Sequence, residues 1–216
     1  MFITAGRAAP EKTIPSQLLG DLGFRFDIVN PKTVEVLRAS NLNLIREVTD
    51  ETRMAVRDVV QRAVERGGAP KDQAREIRQL IGLTPRQAKA VDNYNAALKE
   101  EARPTDQIER MTTRYRDKML NMRANNIART ETTNAATKGQ QAAWAQAADK
   151  GLLNRVTVRQ GWGVTPTDAL CEVCAAIPGM NPDGVPLGGF FATPIGPVSG
   201  PTVHPQCLCY VFIKDF

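Results

Sequence analysis

The sequence predicts a mainly α protein, a body of long helices followed by a small, loop-rich α+β module. Three observations predict it. Apolar residues recur at three- and four-residue steps through most of the first 150 positions, the period of a helix with one buried face. More than half of the 16 glycines and of the 14 prolines fall after residue 150, where that period stops. All four cysteines and the single histidine also lie in that last part of the chain. The 216 residues are 42% hydrophobic, enough for a core and too apolar for a disordered chain. The predicted organisation is an extended arm (1–32), a helical body (33–150) and a Cys/His module (151–216).

In the arm, Pro10, Pro15 and Pro31 and three glycines interrupt any period, leaving room for a short helix around Ser16–Leu19. Such arms often order only on a partner. From Thr33 to Arg66 the apolar positions Leu37, Leu44, Ile45, Val48, Ala55, Val56, Val59 and Ala63 read as one helix, stopped by Gly67 and Gly68. Pro70 opens a second helix with the stripe Ala74, Ile77, Leu80 and Ile81, closed by Gly82. Thr84-Pro85-Arg86-Gln87 is a capping-box start for a third, whose stripe runs Ala88, Val91, Tyr94 or Asn95, and Leu98 before Arg103-Pro104 breaks it.

The last helical stretch, about Asp106 to Ala148, carries Ile108, Met111, Tyr115, Met119, Met122, Ile127 and Trp144, a stripe that reads as core. Its length predicts a kink or break near Asn125-Asn126 or Gly139. Within it, Arg129, Thr130, Glu131, Thr132, Thr133 and Asn134 form a dense polar cluster. Polar groups on opposing faces suit a helix wedged between two bodies, but spacing alone favours an ordinary exposed turn.

After residue 150, Arg155–Gln160 alternates as a strand. Cys171-x-x-Cys174 and His204-Pro205-Gln206-Cys207-Leu208-Cys209 flank a Gly/Pro-rich loop and run into the apolar Tyr210–Ile213. A Cys-x-x-Cys turn brings two sulfurs to one tetrahedral ion, and His204 and Cys207 share that spacing. Cys207 and Cys209 alternate on an extended chain, so five candidates compete for four positions. Cys171 and Cys174 are the firm half; His204 with Cys207 and Cys207 with Cys209 are nearly equal choices for the other. Structural zinc is favoured over a disulfide network and over unliganded thiols. With few large apolar side chains after residue 151, a module of this size gains from a metal cross-link. Asp168 is placed to orient His204 or to cap the turn.

Catalysis has little support. One histidine and no glycine-rich phosphate loop leave only a hydrolytic zinc with Asp168 or Glu172 as base. No run of about 18 uncharged apolar residues is present, and the N-terminal segment lacks a signal-peptide core. The expectation is a chain made in a cytosol. After Lys150, three basic residues (Arg155, Arg159, Lys214) meet four acidic ones (Asp168, Glu172, Asp183, Asp215), so the net charge of +5 sits on the first 150 residues. A basic helical body suits contact with nucleic-acid phosphates or an acidic protein surface.

Taken in order, Ile81-Gly82-Leu83-Thr84, Arg123–Thr132, Trp144, Trp162, Asp168-x-x-Cys171-x-x-Cys174, Gly179 and Pro201-x-x-His204-Pro205-x-Cys207-x-Cys209 resemble the phage Mu F-like minor head protein family over about residues 50–213. Leu208 stands where that family has arginine, and Ala169-Leu170 precede Cys171 where the family favours a threonine. The resemblance implies a non-enzymatic virion protein of a tailed phage or prophage. It implies a place in the head near the portal vertex, in several copies, with portal and other head or connector proteins as partners and packaged double-stranded DNA as a possible contact. It further implies roles in head assembly, DNA packaging or ejection, a zinc site at Cys171, Cys174, His204, Cys207 and Cys209, and motif positions at Arg129, Glu131 and Asp168. Relatives carrying toxin or ADP-ribosyltransferase domains are longer, so the bare structural form is expected here.

Overall fold

The computed structural model describes residues 47–66, 68–165 and 170–215. The arm (1–32), the first part of the predicted first helix (33–46) and Asp168 lie outside the described residues.

Four helices and a small sheet follow in order: α1 (Asp50–Arg66), α2 (Pro70–Leu80), α3 (Pro85–Glu100), α4 (Thr105–Asp149), β1 (Arg159–Gly163), a fifth helix α5 (Glu172–Met180), β2 (Val185–Pro186) and β3 (Tyr210–Asp215). The protein is therefore mainly helical with a three-stranded antiparallel sheet in the order β2-β1-β3.

The predicted first helix is not continuous. Glu47 takes a left-handed φ of 58°, and α1 starts at Asp50, where the Thr49 hydroxyl accepts from the Thr52 N–H at 3.3 Å. A threonine offering a local acceptor to the first turn marks the start of α1. Pro70 occupies the first turn of α2, which ends one residue before Ile81. Ile81 is buried while Leu80 is left exposed, because the chain turns extended at residue 81 and carries its side chain back onto the core. The capping box forms as predicted: Thr84 Oγ1 accepts from Gln87 N at 3.1 Å, and Gln87 Oε1 accepts from Thr84 N at 3.0 Å. Behind it, α3 buries Val91 and Leu98, and Tyr94 meets Tyr115 of α4 with ring centroids 4.8 Å apart.

The 45 residues of α4 form one uninterrupted helix, about 67 Å long at 1.5 Å per residue. The expected break at Asn125-Asn126 or Gly139 does not occur. Asn125 bonds back within the helix, its Nδ2 donating to the Asn121 carbonyl at 2.7 Å, and Gly139 is buried by packing. Tertiary contact outweighs the roughly 1 kcal/mol helix cost of a glycine. The core stripe also differs from the Met/Tyr reading. Ile108 and Trp144 are buried as expected, but Met122 is exposed, and the buried apolar positions against α2 and α1 are the small residues Ala124, Ala128 and Ala135, which allow a close approach. Arg123 is buried beside them and donates to the carbonyls of Gly82 (2.8 Å) and Glu47 (3.1 Å), fixing both connections to α4.

The C-terminal module has its own core, formed by Leu153, Val158, Trp162, Cys174, Ile177, Val185, Phe191, Cys207, Cys209, Val211 and Ile213. Trp144 and Ala147 of α4 complete it, so packing crosses the boundary drawn near residue 150. Leu170 and Phe190 are exposed, while Leu153 and Trp162 are buried with Trp144. The predicted strand at 155–160 lies four residues later, at Arg159–Gly163. Asn154 is the reason: its side chain accepts from Val156 N and its carbonyl from Val158 N, which winds 154–158 into a turn and leaves Val156 82% exposed. In β1, Gly161 and Gly163 stand opposite Phe212 and Tyr210. The two rings lie across the glycines, and a Cβ on Gly161 would come within 2.4 Å of the Phe212 ring.

Candidate metal centre

The first half of the site is built by a helix start. Cys171 is the N-cap of α5, with extended φ and ψ, and its Sγ accepts from Cys174 N at 3.4 Å. A cysteine in the position usually held by Ser or Asp thus orients both sulfurs of the Cys-x-x-Cys turn toward one point. The second half is a tight loop in which Cys207 N donates to the His204 carbonyl at 3.2 Å. It is followed by an extended Cys207-Leu208-Cys209 segment entering β3, held by Thr165 Oγ1 donating to the Leu208 carbonyl at 2.6 Å.

These halves meet. His204 Nε2 lies 3.1 Å from Cys171 Sγ and 3.0 Å from Cys174 Sγ, and Cys174 Sγ lies 3.7 Å from Cys207 Sγ. Two donor triads result, Cys171/Cys174/His204 and Cys174/Cys207/Cys209, each with all its ligand atoms within 4.8 Å of one another. Cys174 is common to both. The structure gathers all five sequence-predicted donors and places both competing second halves beside the Cys-x-x-Cys turn.

The cluster could hold a metal ion. The four cysteines are free, and the 3.7 Å contact is far from the ~2.05 Å of a disulfide. It matches the edge of about 3.8 Å that two sulfurs subtend at tetrahedral 2.3 Å bonds. His204 presents the right nitrogen. Its Nδ1 sits 2.8 Å from the Pro205 carbonyl, which can only accept, so Nδ1 carries a proton and Nε2 is the nitrogen turned toward the sulfurs.

The electrostatics favour a cation. The Cys174 N–H holds the Cys171 thiol below its ordinary value, and a hydrogen bond from Cys209 pulls Cys207 down to about 5. Cys209 is pushed up by the same bond, and burial pushes Cys174 up to about 12. Burial opposes the His204 cation, but the Pro205 carbonyl and the thiolates of Cys207 and Cys171 together raise its pKa. Two of the four sulfurs thus favour the thiolate and two are held as thiols, and thiolate sulfur is the ligand type that soft divalent ions take.

Cys174, Cys207 and Cys209 are buried, whereas Cys171 and His204 are half-buried and border a cavity of about 270 Å³. Arg129 reaches that cavity from α4. The polar cluster around it is not the ordinary exposed turn that spacing favours, because Thr130 and Glu131 are 3% and 1% exposed. It is a wedge. Thr130 Oγ1 accepts from Gln206 N at 2.9 Å in the metal loop, and Thr132 Oγ1 donates to Gln73 Oε1 of α2 at 2.7 Å. Glu131 lies on the face of Ala128 and Ala135, its carboxyl pushed up to about 7 by burial against the opposing pull of Asn134 and Lys138.

Further polar struts escape a reading of the sequence. Gln141 Nε2 donates to Gln160 Oε1 (3.0 Å) and to the Ser199 carbonyl (2.6 Å), tying α4 to β1 and its neighbouring loop. Buried glutamine carries no periodic signal, so only the assembled structure reveals it. Among the described residues, no helix is long and apolar enough to cross a membrane. Comparison of the chain with known protein families, with curated proteins and with solved structures returns no match.

Proposed function

We propose that the Cys/His cluster holds a structural zinc ion, and that the chain is a minor head protein of a tailed phage or prophage, seated near the portal vertex in several copies. The observation that carries the metal reading is the convergence of Cys171, Cys174, His204, Cys207 and Cys209 from two segments about 30 residues apart. A bound zinc supplies a tetrahedral cross-link with no redox chemistry of its own. The virion reading rests on the ordered resemblance of residues 50–213 to the Mu F-like family, with the metal donors as its most specific part. On this reading the chain is not an enzyme. Its helical body docks on portal and neighbouring head or connector proteins, and the module is a compact anchor.

Elemental analysis of the purified full chain tests the first part: about one zinc per chain is expected, and absence of metal after expression in zinc-replete medium overturns it. A density map of the portal vertex, with and without the chain, tests the second. A nuclease assay of the zinc-loaded protein separates this reading from a zinc-dependent DNA-processing enzyme, for which turnover is required.

A second reading, a non-specific DNA contact during packaging or ejection, has one feature in its favour. Lys71, Arg75 and Arg78 project from one face of α2 into a groove of about 430 Å³ shared with Asn121 and Asn125 of α4. Three cations at helical spacing suit a run of phosphates, although Asp72 and Asp117 already engage the two arginines. The K71A/R75A double variant should then lower duplex-DNA affinity and flatten its salt dependence.

A further inference from the structure

We propose that Thr130 of α4 is a positioning residue for the metal centre, imposing the geometry of its His204–Cys207 half from across the fold. The inference rests on the metal reading above and deepens it.

The two halves of the site are supported differently. The Cys171–Cys174 turn is self-contained, because a helix cap sets it and α5 continues from it. The His204–Cys207 turn has no helix behind it. Gln206, inside it, takes a left-handed φ of 63°, a conformation that a glutamine adopts only when its surroundings hold it there. What holds it is the Thr130 hydroxyl, 3% exposed, accepting from the Gln206 N–H at 2.9 Å over a sequence separation of 76 residues. That N–H sits between the two donors of the turn, so its anchor fixes where His204 and Cys207 point. Metal ligands depend on such outer partners for orientation, and loss of one typically costs 10–100-fold in affinity.

The same contact explains why four consecutive polar residues occur in the middle of a packed helix. Arg129 borders the cavity at the cluster, Thr130 reaches the metal loop, Glu131 turns toward the helical core, and Thr132 bonds Gln73 of α2. Each residue of the run serves a different neighbour around the circumference of α4.

The test measures zinc affinity of the full chain by competition with a chromophoric chelator, with the cobalt-substituted spectrum as a second readout. Thr130→Val keeps the shape and removes the acceptor; Thr130→Ser keeps the acceptor. T130V should bind zinc 10–100-fold more weakly and alter the cobalt spectrum, while T130S should stay within about threefold of the parent. Thr137→Val, equally buried on α4, is the control for general loosening and should leave zinc affinity unchanged. Where valine is not accommodated, Thr130→Ala gives the same reading. Amide exchange supplies an independent measure: the Gln206 N–H should be protected in the parent and exposed in T130V. If T130V binds zinc as tightly as the parent, the proposal is overturned and the metal reading stands. If the parent binds neither zinc nor cobalt, the metal reading itself has failed and this proposal fails with it.

Discussion

The helical body and the C-terminal module solve the same problem with different residues. Under α1, α2 and α4, the described hydrophobic cluster is valine, isoleucine and alanine, placed by the period of each helix. In the module, Trp144, Trp162, Phe191 and three cysteines make up nearly half of the core, and its partners come from opposite ends of the segment. A core of aliphatic stripes tolerates local change because each helix nucleates its own structure. A core of short strands, long loops and sulfurs has less local structure to fall back on.

That contrast can be broken most severely at Cys174, the donor common to both triads. Cys174→Ser should abolish stoichiometric zinc and destabilise the module by at least about 4 kcal/mol, the range that loss of a structural metal produces. Hydrogen exchange should show residues 151–215 unprotected while α1–α3 remain protected; loss of protection throughout would mean that the two regions fold as one. The half-buried Cys171 should give a milder result when changed to Ser. In the opposite region, Ile77 is fully buried, and Ile77→Ala should cost about 2–5 kcal/mol with zinc content unchanged, read by denaturant melts and metal analysis together.

Glu131 sharpens the comparison through pH. Burial raises its folded pKa to about 7, above an unfolded value of about 4.3. The folded state therefore holds this proton more tightly, and the carboxyl's favourable contribution is complete below about pH 4 and is lost as the pH rises through 7. Glu131→Gln should then stabilise the protein by about 1–3 kcal/mol at pH 8, with the gain vanishing near pH 4. A pH-independent effect would show that the carboxylate is compensated when charged. The smallest effect is expected from glycine. Gly161→Ala must displace the Phe212 ring and should cost about 1 kcal/mol or more. Gly82→Ala meets nothing within 4 Å and should change stability by less than about 0.5 kcal/mol.

What could be read from the sequence follows the same division. Pro70, the Thr84/Gln87 box and the Arg103-Pro104 stop act locally, so α2 and α3 appear where their residues place them. The five metal donors were visible because cysteine and histidine occur nowhere else. Features set by distant contacts were not visible. Asn125 and Gly139 carry the local chemistry of a helix break, but Asn125 spends its side chain on the Asn121 carbonyl of the same helix, and packing overrides the glycine. The alternation at 155–160 has the period of a strand, yet the side chain and carbonyl of Asn154 together capture the backbone donors of residues 156–158. The burial of Thr130 goes with its contact to the module folded back onto α4, and that of Glu131 with the helical body on another face, neither of which any spacing encodes.

The unbroken course of α4 has a mechanical consequence. One end of this rod is rooted among α2 and α3, and the other, through Trp144 and Ala147, is rooted beside the sulfurs. A helix without a break offers no internal joint at which these two regions could pivot. A shift of one extremity is carried along the axis toward the other.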